Sequence, residues 1–140
     1  MLLNLERLNA RMAADGIDAV IATSPENVTY ASGYWALSQW IRRGPQTYVV
    51  WPAPGRGAPH IIASASLLDL LADQEVSVSN IAKFGDFVVE IDDRAELCEA
   101  DSRQRELYGL ANDGSAGAAL SRVLDRLGLA GGRIAVDEGG

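Results

Sequence analysis

Cysteine and histidine are almost absent from this sequence, and their scarcity excludes two kinds of site. The one cysteine, Cys98, has no second thiol with which to form a disulfide inside the chain. The one histidine, His60, has no carboxylates near it at the spacing of metal ligands. A hydrolytic metal site needs several imidazole or carboxylate ligands that converge, so we predict no catalytic residue set and no metal site in this chain.

Positive charge is also in short supply. The chain has 12 Lys and Arg against 19 Asp and Glu, which gives a formal net charge of -7. Proteins that bind nucleic acids need a basic face, so this balance argues against a nucleic-acid partner. No apolar run reaches the roughly 20 residues that span a bilayer, and the N-terminus lacks the features of a signal peptide. We predict a soluble, cytoplasmic protein without a membrane partner, and the single cysteine agrees with a reducing compartment.

The common phosphate-binding and nucleophile motifs are missing as well. The sequence contains neither GxxxxGK(S/T) nor GxGxxG, and its DGSAGAAL stretch at residues 113–120 has no lysine and follows no clear strand. No serine lies in a GxSxG elbow. From the residues alone, the chain is an acidic α/β domain without a recognisable catalytic centre.

The N-terminal part of the sequence carries a helix, a strand and a second helix start. Apolar residues recur at helical spacing over residues 5–12, before Gly16. Residues 18–23, DAVIAT, form a short apolar run bounded by turn residues, which indicates a buried strand. The Ser-Pro-Glu triplet at 24–26 has the residue types preferred at a helix start, and Gly33 limits that helix to about two turns. A helix followed by a strand is the first half of an α/β unit.

The rest of the chain alternates short strand and helix patterns. Strands are predicted at residues 46–52, 60–64, 76–79, 87–91 and 133–137, and helices at residues 64–74 and 115–129. The stretch between the first two of these strands is rich in Pro and Gly, which predicts a hairpin. Eight acidic residues and three arginines fall within residues 86–106, so this segment is predicted to be exposed. The chain length fits one domain over residues 1–140.

Three short motifs near the N-terminus carry a resemblance to a known family. They are Gly16-Ile17-Asp18-Ala19, Ser24-Pro25-Glu26-Asn27-Val28, and Tyr30 with Ser32-Gly33-Tyr34. With these motifs at this spacing, the chain resembles the N-terminal domain of the creatinase/prolidase/aminopeptidase P family. The likeness is specific over roughly residues 1–35 and continues more loosely to the final GRIAVDE. It implies an α/β fold with a mixed sheet of about five or six strands flanked by helices, described in that family as ribonuclease H-like.

The same resemblance implies that the catalytic machinery lies outside this chain. Enzymes of this family hold two divalent metal ions (Mn, Co or Zn in the peptidases) with two Asp, one His and two Glu in a second, larger domain. We therefore predict an accessory domain of a Xaa-Pro peptidase or a creatinase-like hydrolase, inactive by itself. Its implied partners are the C-terminal catalytic domain of the same polypeptide and a second copy in a homodimer. The alternative is a stand-alone module that binds or dimerises without catalysis.

The resemblance also points to the segment that follows the Ser-Gly-Tyr motif. In creatinase-like members, an aromatic residue and an arginine of this segment approach the substrate across the subunit interface. The corresponding residues here are Trp40 and Arg42, with Arg43 as an alternative. An indole offers a flat apolar wall, and a guanidinium group can grip a carboxylate with two hydrogen bonds. Other roles stay open, since the indole could cover the sheet or an interface and the arginines could form a solvated turn. Three further aromatics are expected to pack or to form an interface: Tyr30, Tyr34 and Trp35.

Overall fold

The computed structural model describes residues 2–90, 92, 94 and 96–137. Its helices are α1 (Leu5–Asp15), α2 (Pro25–Ser32), α3 (Leu37–Trp40), α4 (Leu68–Ala72, after a 3₁₀ turn over Ala65–Leu67), α5 (Glu99–Tyr108) and α6 (Ala116–Arg126). Its strands are β1 (Ala19–Ala22), β2 (Tyr48–Pro52), β3 (His60–Ser64), β4 (Asn80–Phe84), β5 (Asn112–Asp113) and β6 (Ile134–Val136). Within these residues, no helix is both long and apolar enough to cross a membrane.

The strands form one mixed sheet of six strands in the order β5-β4-β3-β2-β1-β6. Strand β2 runs antiparallel to β1 and to β3, and the β2–β3 pair is the hairpin that the Pro/Gly-rich stretch predicts. The β3–β4, β4–β5 and β1–β6 pairs are parallel. Parallel neighbours need crossover connections, which α4, α5 and α6 provide. The prediction of an α/β fold with a mixed sheet of five or six strands is confirmed.

Helices cover both faces of the sheet, and each face has its own apolar core. On one face, Met12 of α1, Val28 of α2 and Leu68 of α4 belong to one buried cluster with Ile61 of the sheet. On the other face, α6 packs with Val123 and its neighbours against the remaining strand side chains. Successive strand residues point to opposite faces, so the apolar runs of β2 and β3 serve both cores. The domain therefore has three layers.

Helix α2 begins and ends where its sequence predicts. The hydroxyl of Ser24 accepts a hydrogen bond from the Asn27 amide, and Pro25 occupies the first turn, where no amide donor is needed. Gly33 ends the helix with a φ of 79°, and its amide bonds the Thr29 carbonyl. A β-carbon at Gly33 would lie 3.3 Å from the Glu75 carbonyl oxygen. The turn therefore requires glycine for both its backbone conformation and its packing.

Two of the predicted strands are wrong. Residues 76–79 form no strand, and the strand lies instead at β4, where the chain runs beside β3 from His60–Asn80 to Ser64–Phe84. Residues 87–90 also form no strand, and Ile91 lies outside the described residues. The reason is Gly85, whose φ of 81° turns the chain away from the sheet directly after β4. Phe87 and Val88 are left exposed, and their β-forming side chains have no strand to pair with.

Three elements have no counterpart among the predictions. They are α3, α5 and the two-residue strand β5. Helix α5 begins inside the acidic segment 86–106 and ends just beyond it, at Tyr108. None of its residues is buried, so exposure of the described part of the segment is confirmed, while the helix itself is new. Lys83 fixes the end of α5, because its ammonium group donates to the Tyr108 carbonyl, which closes that helix.

Candidate functional site

A cleft of about 470 Å³ lies where α2 begins, beside α3 and the turn that follows it. Its lining comes from two stretches of chain: residues 23–26 and residues between 38 and 46. The lining residues are Thr23, Ser24, Pro25, Glu26, Ser38, Gln39, Trp40, Arg42, Gly44 and Gln46. A cleft of this volume falls in the usual range for small-molecule sites, roughly 300–1,000 Å³. We call it the α2–α3 cleft.

Arg42 reaches the cleft from a backbone position that normally belongs to glycine. It follows the short helix α3 with a φ of 53°, and it is the one residue other than glycine with a positive φ among those described. Its amide bonds the Gln39 carbonyl, and the next amide, that of Arg43, bonds the Ser38 carbonyl. This is the hydrogen-bond pattern of a Schellman helix end. A left-handed conformation costs a side-chain-bearing residue about 1–2 kcal/mol, so Arg42 holds a strained backbone conformation.

Trp40 forms the aromatic part of the cleft wall. Its indole is 39% exposed, and the indole nitrogen donates to the Thr29 hydroxyl of α2 over 3.4 Å. The ring is therefore tethered to α2 while it stays partly exposed. A partly exposed indole with a fixed orientation can pack on the apolar part of a ligand without first losing much conformational freedom.

Gln39 braces the floor of the cleft. Its side-chain nitrogen donates to the carbonyls of Thr23 and Thr47, each at 2.9 Å, so α3 is tied to the end of β1 and to the segment that enters β2. The residue is only 8% exposed. Within the described residues, its side-chain oxygen and the nearby Thr47 hydroxyl have no hydrogen-bond partner. The brace holds the two halves of the lining at a fixed distance.

Asp137 fixes the other side of the cleft from the opposite end of the chain. Its carboxylate accepts hydrogen bonds from the amide and hydroxyl of Thr23, at 2.7 and 2.5 Å, and from the amide and hydroxyl of Ser24, both at 2.9 Å. The Asn27 side chain adds another, at 3.0 Å. Burial by itself would raise the pKa of Asp137, but the hydrogen bonds from Thr23, Ser24 and Asn27 outweigh it and lower the pKa to about 2. An ionised carboxylate therefore holds the start of α2 in place.

The two charged side chains of the cleft have opposite signs and are not paired. Glu26 and Arg42 are both exposed and both line the cleft. In the part of the chain that the structure describes, ion pairs form between other residues, and neither Glu26 nor Arg42 belongs to one. The cleft thus presents a carboxylate and a guanidinium that are both available to a ligand.

The structure brings Trp40 and Arg42 together in this cleft but leaves the other candidates outside its lining. Arg43 is exposed and is not a lining residue. Tyr34 is fully buried, and its hydroxyl donates to the Leu67 carbonyl at 3.4 Å. Burial raises the pKa of Tyr34 to about 12, and the nearby charge of Asp69 adds a smaller effect in the same direction. Tyr34 therefore belongs to the apolar core on the α2 side of the sheet.

Tyr30 and Trp35 lie on the surface, 44% and 49% exposed. The Tyr30 hydroxyl accepts a hydrogen bond from the Asn4 amide at 3.1 Å, which joins α2 to the start of α1. The backbone of Trp35 is clamped by the Gln74 side chain, which accepts from its amide and donates to its carbonyl. These contacts fix both residues at the backbone or hydroxyl and leave ring surface uncovered.

Two residues that shape the cleft have no signal in the local sequence. Gln39 sits in a mixed aromatic and polar stretch whose short helix is itself unpredicted, so its bracing role appears only after folding. Asp137 acts on residues 110 to 114 positions away. The signal that could have found it is an acidic residue directly after the closing strand, since the carboxyl ends of parallel neighbours β1 and β6 meet at one edge of the sheet.

No group of three or more His, Cys, Asp or Glu side chains that could hold a metal ion occurs within residues 2–90, 92, 94 and 96–137.

Comparison with protein-family models matches the Creatinase/Prolidase N-terminal domain over residues 4–139. The comparisons with curated proteins and with solved structures give no match. The family match covers nearly the whole chain and includes the motifs from Gly16 to Tyr34 that suggested it. This chain belongs to the creatinase/prolidase N-terminal domain family.

Proposed function

We propose that this chain is the accessory N-terminal domain of a dinuclear-metal hydrolase, a Xaa-Pro peptidase or a creatinase-like enzyme, and that the α2–α3 cleft forms part of its substrate wall. The observation that carries the proposal is the convergence of Trp40 and Arg42 in one cleft, with Arg42 held in a strained backbone conformation. Backbone strain of this kind persists only where the surrounding structure holds the residue in place, and it clusters at active sites and ligand-binding positions.

The residues of this chain then have defined tasks. The Arg42 guanidinium binds a substrate carboxylate, and the Trp40 indole packs beside the apolar part of the same molecule. Gln39 holds α3 in position and Asp137 holds the start of α2, so the two sides of the cleft keep a fixed arrangement. The described residues offer no ligand set for the metal pair of the family enzymes. We assign that chemistry to a C-terminal catalytic domain of the same polypeptide.

The proposal extends to the assembly and its location. Tyr30, in the last turn of α2, and Trp35, just after its end, keep exposed ring surface, which suits contact with a second copy of the chain. A homodimer in the cytoplasm, in which this surface meets the neighbouring subunit, is the assembly we propose. The alternative is a stand-alone binding or dimerisation module.

Two experiments separate these candidates. The native reading frame should continue beyond residue 140 by roughly one further large domain, whereas a stop codon at that point would favour the stand-alone module. The purified chain of 140 residues should show no peptide or guanidino-compound turnover with added Mn²⁺, Co²⁺ or Zn²⁺. Clear metal-dependent turnover by this chain would overturn the accessory role.

The substrate wall is tested in the complete protein. Trp40→Ala and Arg42→Ala should each lower kcat/KM by roughly 10- to 100-fold, the value of a charge-assisted contact or a buried aromatic contact, with little change in thermal stability. Arg43→Ala is the comparison variant, because Arg43 lies outside the cleft lining. If Arg43→Ala reduces kcat/KM as much as Arg42→Ala does, the assignment of the guanidinium to Arg42 is wrong.

A further inference from the structure

Strand β6 forms one edge of the sheet and has β1 as its neighbour on one side only. Native sheets usually protect such an edge with a charged residue, a proline or a bulge, because its backbone groups can pair with another chain. The three residues of β6, Ile-Ala-Val, include neither a charge nor a proline, and Val136 is 59% exposed. The outer side of β6 is therefore suited to accept a further strand.

The hydrogen bonds on the inner side of β6 define which backbone groups face outwards. The Arg133 carbonyl and the Asp137 amide both bond to backbone groups on the β1 side, at 2.8 and 3.2 Å. Alternate residues of a strand direct their backbone groups to the same side, so Ala135 also faces β1. The amides and carbonyls of Ile134 and Val136 then point away from the sheet, where the part of the chain that the structure describes has no partner strand.

A second copy of β6, running antiparallel to the first, fits these outward groups in one register. When Ala135 lies opposite Ala135 of the second copy, Ile134 lies opposite Val136 of that copy, and the two exchange both of their backbone hydrogen bonds. The exposed Val136 side chain then gains Ile134, which packs against the α6-side core, as its cross-strand neighbour. A shift by two residues would leave an outward-facing residue of each copy without a partner in β6.

The same register brings opposite charges together at both ends of the strand pair. Arg133 lies opposite Asp137 of the second copy, and the twofold axis repeats this pair. The Arg133 side chain is exposed and belongs to no ion pair within the described residues, and the Asp137 carboxylate is ionised at neutral pH. The β-carbons of such directly opposed residues lie about 4.5–5.5 Å apart, where opposite charges stabilise a strand pair and like charges destabilise it. Charge complementarity therefore favours a second copy as the occupant of this edge.

We propose that β6 pairs with β6 of a second copy of this chain, antiparallel about a twofold axis at Ala135, so that the two sheets join into one. The contact uses neither the lining of the α2–α3 cleft nor the rings of Tyr30 and Trp35, so it goes beyond the proposed function and is tested separately. Two strands of three residues bury less than the roughly 1,600 Å² of a standard interface. We expect a dissociation constant on the order of 0.1 mM for the 140-residue chain.

The backbone part of the proposal is tested by sedimentation equilibrium of the purified chain from about 10 µM to 1 mM. Val136→Pro removes an outward amide and leaves the hydrogen bonds to β1 in place, as a proline on an edge strand can. It should weaken dimerisation about tenfold or more. Val136→Thr keeps the amide and is the matched control, with an unchanged dissociation constant.

The charge part of the proposal is tested in the same assay. Arg133→Glu places like charges opposite each other at both ends of the strand pair and should weaken dimerisation about tenfold, whereas Arg133→Ala should weaken it about threefold. Arg7→Glu makes the same change at an exposed arginine of α1 and should have no effect beyond that of net charge.

Disulfide crosslinking tests the register. In a Cys98→Ser background, Ala135→Cys places a thiol opposite its own copy at the twofold axis, whereas Val136→Cys places it opposite Ile134. Random encounters would crosslink Val136→Cys faster, since Val136 is the more exposed of the two positions. The proposed pair predicts the reverse order, with Ala135→Cys faster by about tenfold.

The proposal is overturned if the chain stays monomeric at about 1 mM, or if Val136→Cys crosslinks as fast as Ala135→Cys. It is also overturned if Tyr30→Ser or Trp35→Ser weakens dimerisation and Val136→Pro does not, because the second copy would then bind through those rings. None of these outcomes changes the turnover expected of Trp40→Ala and Arg42→Ala in the complete protein, so the two proposals fail separately.

Discussion

Asp137→Asn is the substitution whose effect the structure defines most closely. The Asp137 carboxylate gathers donors from Thr23, Ser24 and Asn27, and it is the contact through which the end of β6 holds the start of α2. An Asn side chain has one oxygen instead of two and no charge, so it cannot serve all of these donors. We expect the substitution to loosen the first turn of α2 and with it the wall of the cleft.

The magnitude follows from the carboxylate's pKa, which falls from 3.8 to about 2. Each unit of lowering corresponds to about 1.4 kcal/mol, so the full shift would stabilise the folded state by about 2.4 kcal/mol. Because the side chain is partly exposed, solvent screening reduces this figure, and we expect a loss of about 1–1.5 kcal/mol for Asp137→Asn near neutral pH.

The lowered pKa of Asp137 also determines how its contribution to stability changes with pH. A carboxyl group whose pKa is lower in the folded than in the unfolded state stabilises the fold while it is ionised, that is, above 3.8. This contribution is lost as the pH falls from about 5 towards 2, and about half of it remains near pH 3. The difference between the original chain and Asp137→Asn should therefore shrink over the same interval.

The assay is urea unfolding, followed by circular dichroism, of the original chain and Asp137→Asn at pH 6.5, 3 and 2. Asp73→Asn is the control, because Asp73 is exposed and has no side-chain hydrogen bond among those the structure gives. A difference in unfolding free energy that is the same at all three pH values, or below about 0.3 kcal/mol at pH 6.5, would refute the role of the Asp137 carboxylate.

Three further substitutions test separate parts of the fold. Arg42→Gly should raise the unfolding free energy by about 0.5–1 kcal/mol by relieving the left-handed strain, and a loss of stability in thermal unfolding would show that no strain exists. Gly33→Ala should cost more than Gly16→Ala, by about 1 kcal/mol, because both have positive φ but only Gly33 has a carbonyl oxygen within 3.4 Å of the new β-carbon; equal losses in urea unfolding would contradict this. Lys83→Met should speed amide hydrogen exchange in α5 about fivefold, because the hydrogen bond to the Tyr108 carbonyl is lost. Unchanged exchange would show that Lys83 does not stabilise α5.

Elements with complete local signals could be predicted from the sequence. Helix α2 has its cap, its proline and its terminal glycine within ten residues, and each acts on backbone groups next to it. The apolar runs of β1, β2, β3 and β6 were also sufficient, because a short run between turn residues has few other ways to be buried.

Elements that depend on distant partners could not be predicted. The alternating VSVS stretch at 76–79 has the better strand pattern, but the ladder beside β3 selects NIAKF at β4 instead. The cleft shows the same limit: Trp40 and Arg42 came from a family likeness, whereas Gln39 and Asp137 act through hydrogen bonds to Thr23, which tertiary structure alone brings near them. Glu26 has a residue type that suits the first turn of a helix, whereas its place in the cleft lining together with Arg42 depends on the fold.

The most direct test of a substrate role for the cleft is kcat/KM of Arg42→Gly in the complete protein. This substitution removes the guanidinium while it suits the left-handed backbone at this position, so it separates loss of binding from loss of folding. We predict that kcat/KM falls roughly 10- to 100-fold while the melting temperature stays the same or rises. An unchanged kcat/KM would show that Arg42 does not touch the substrate and would contradict the account.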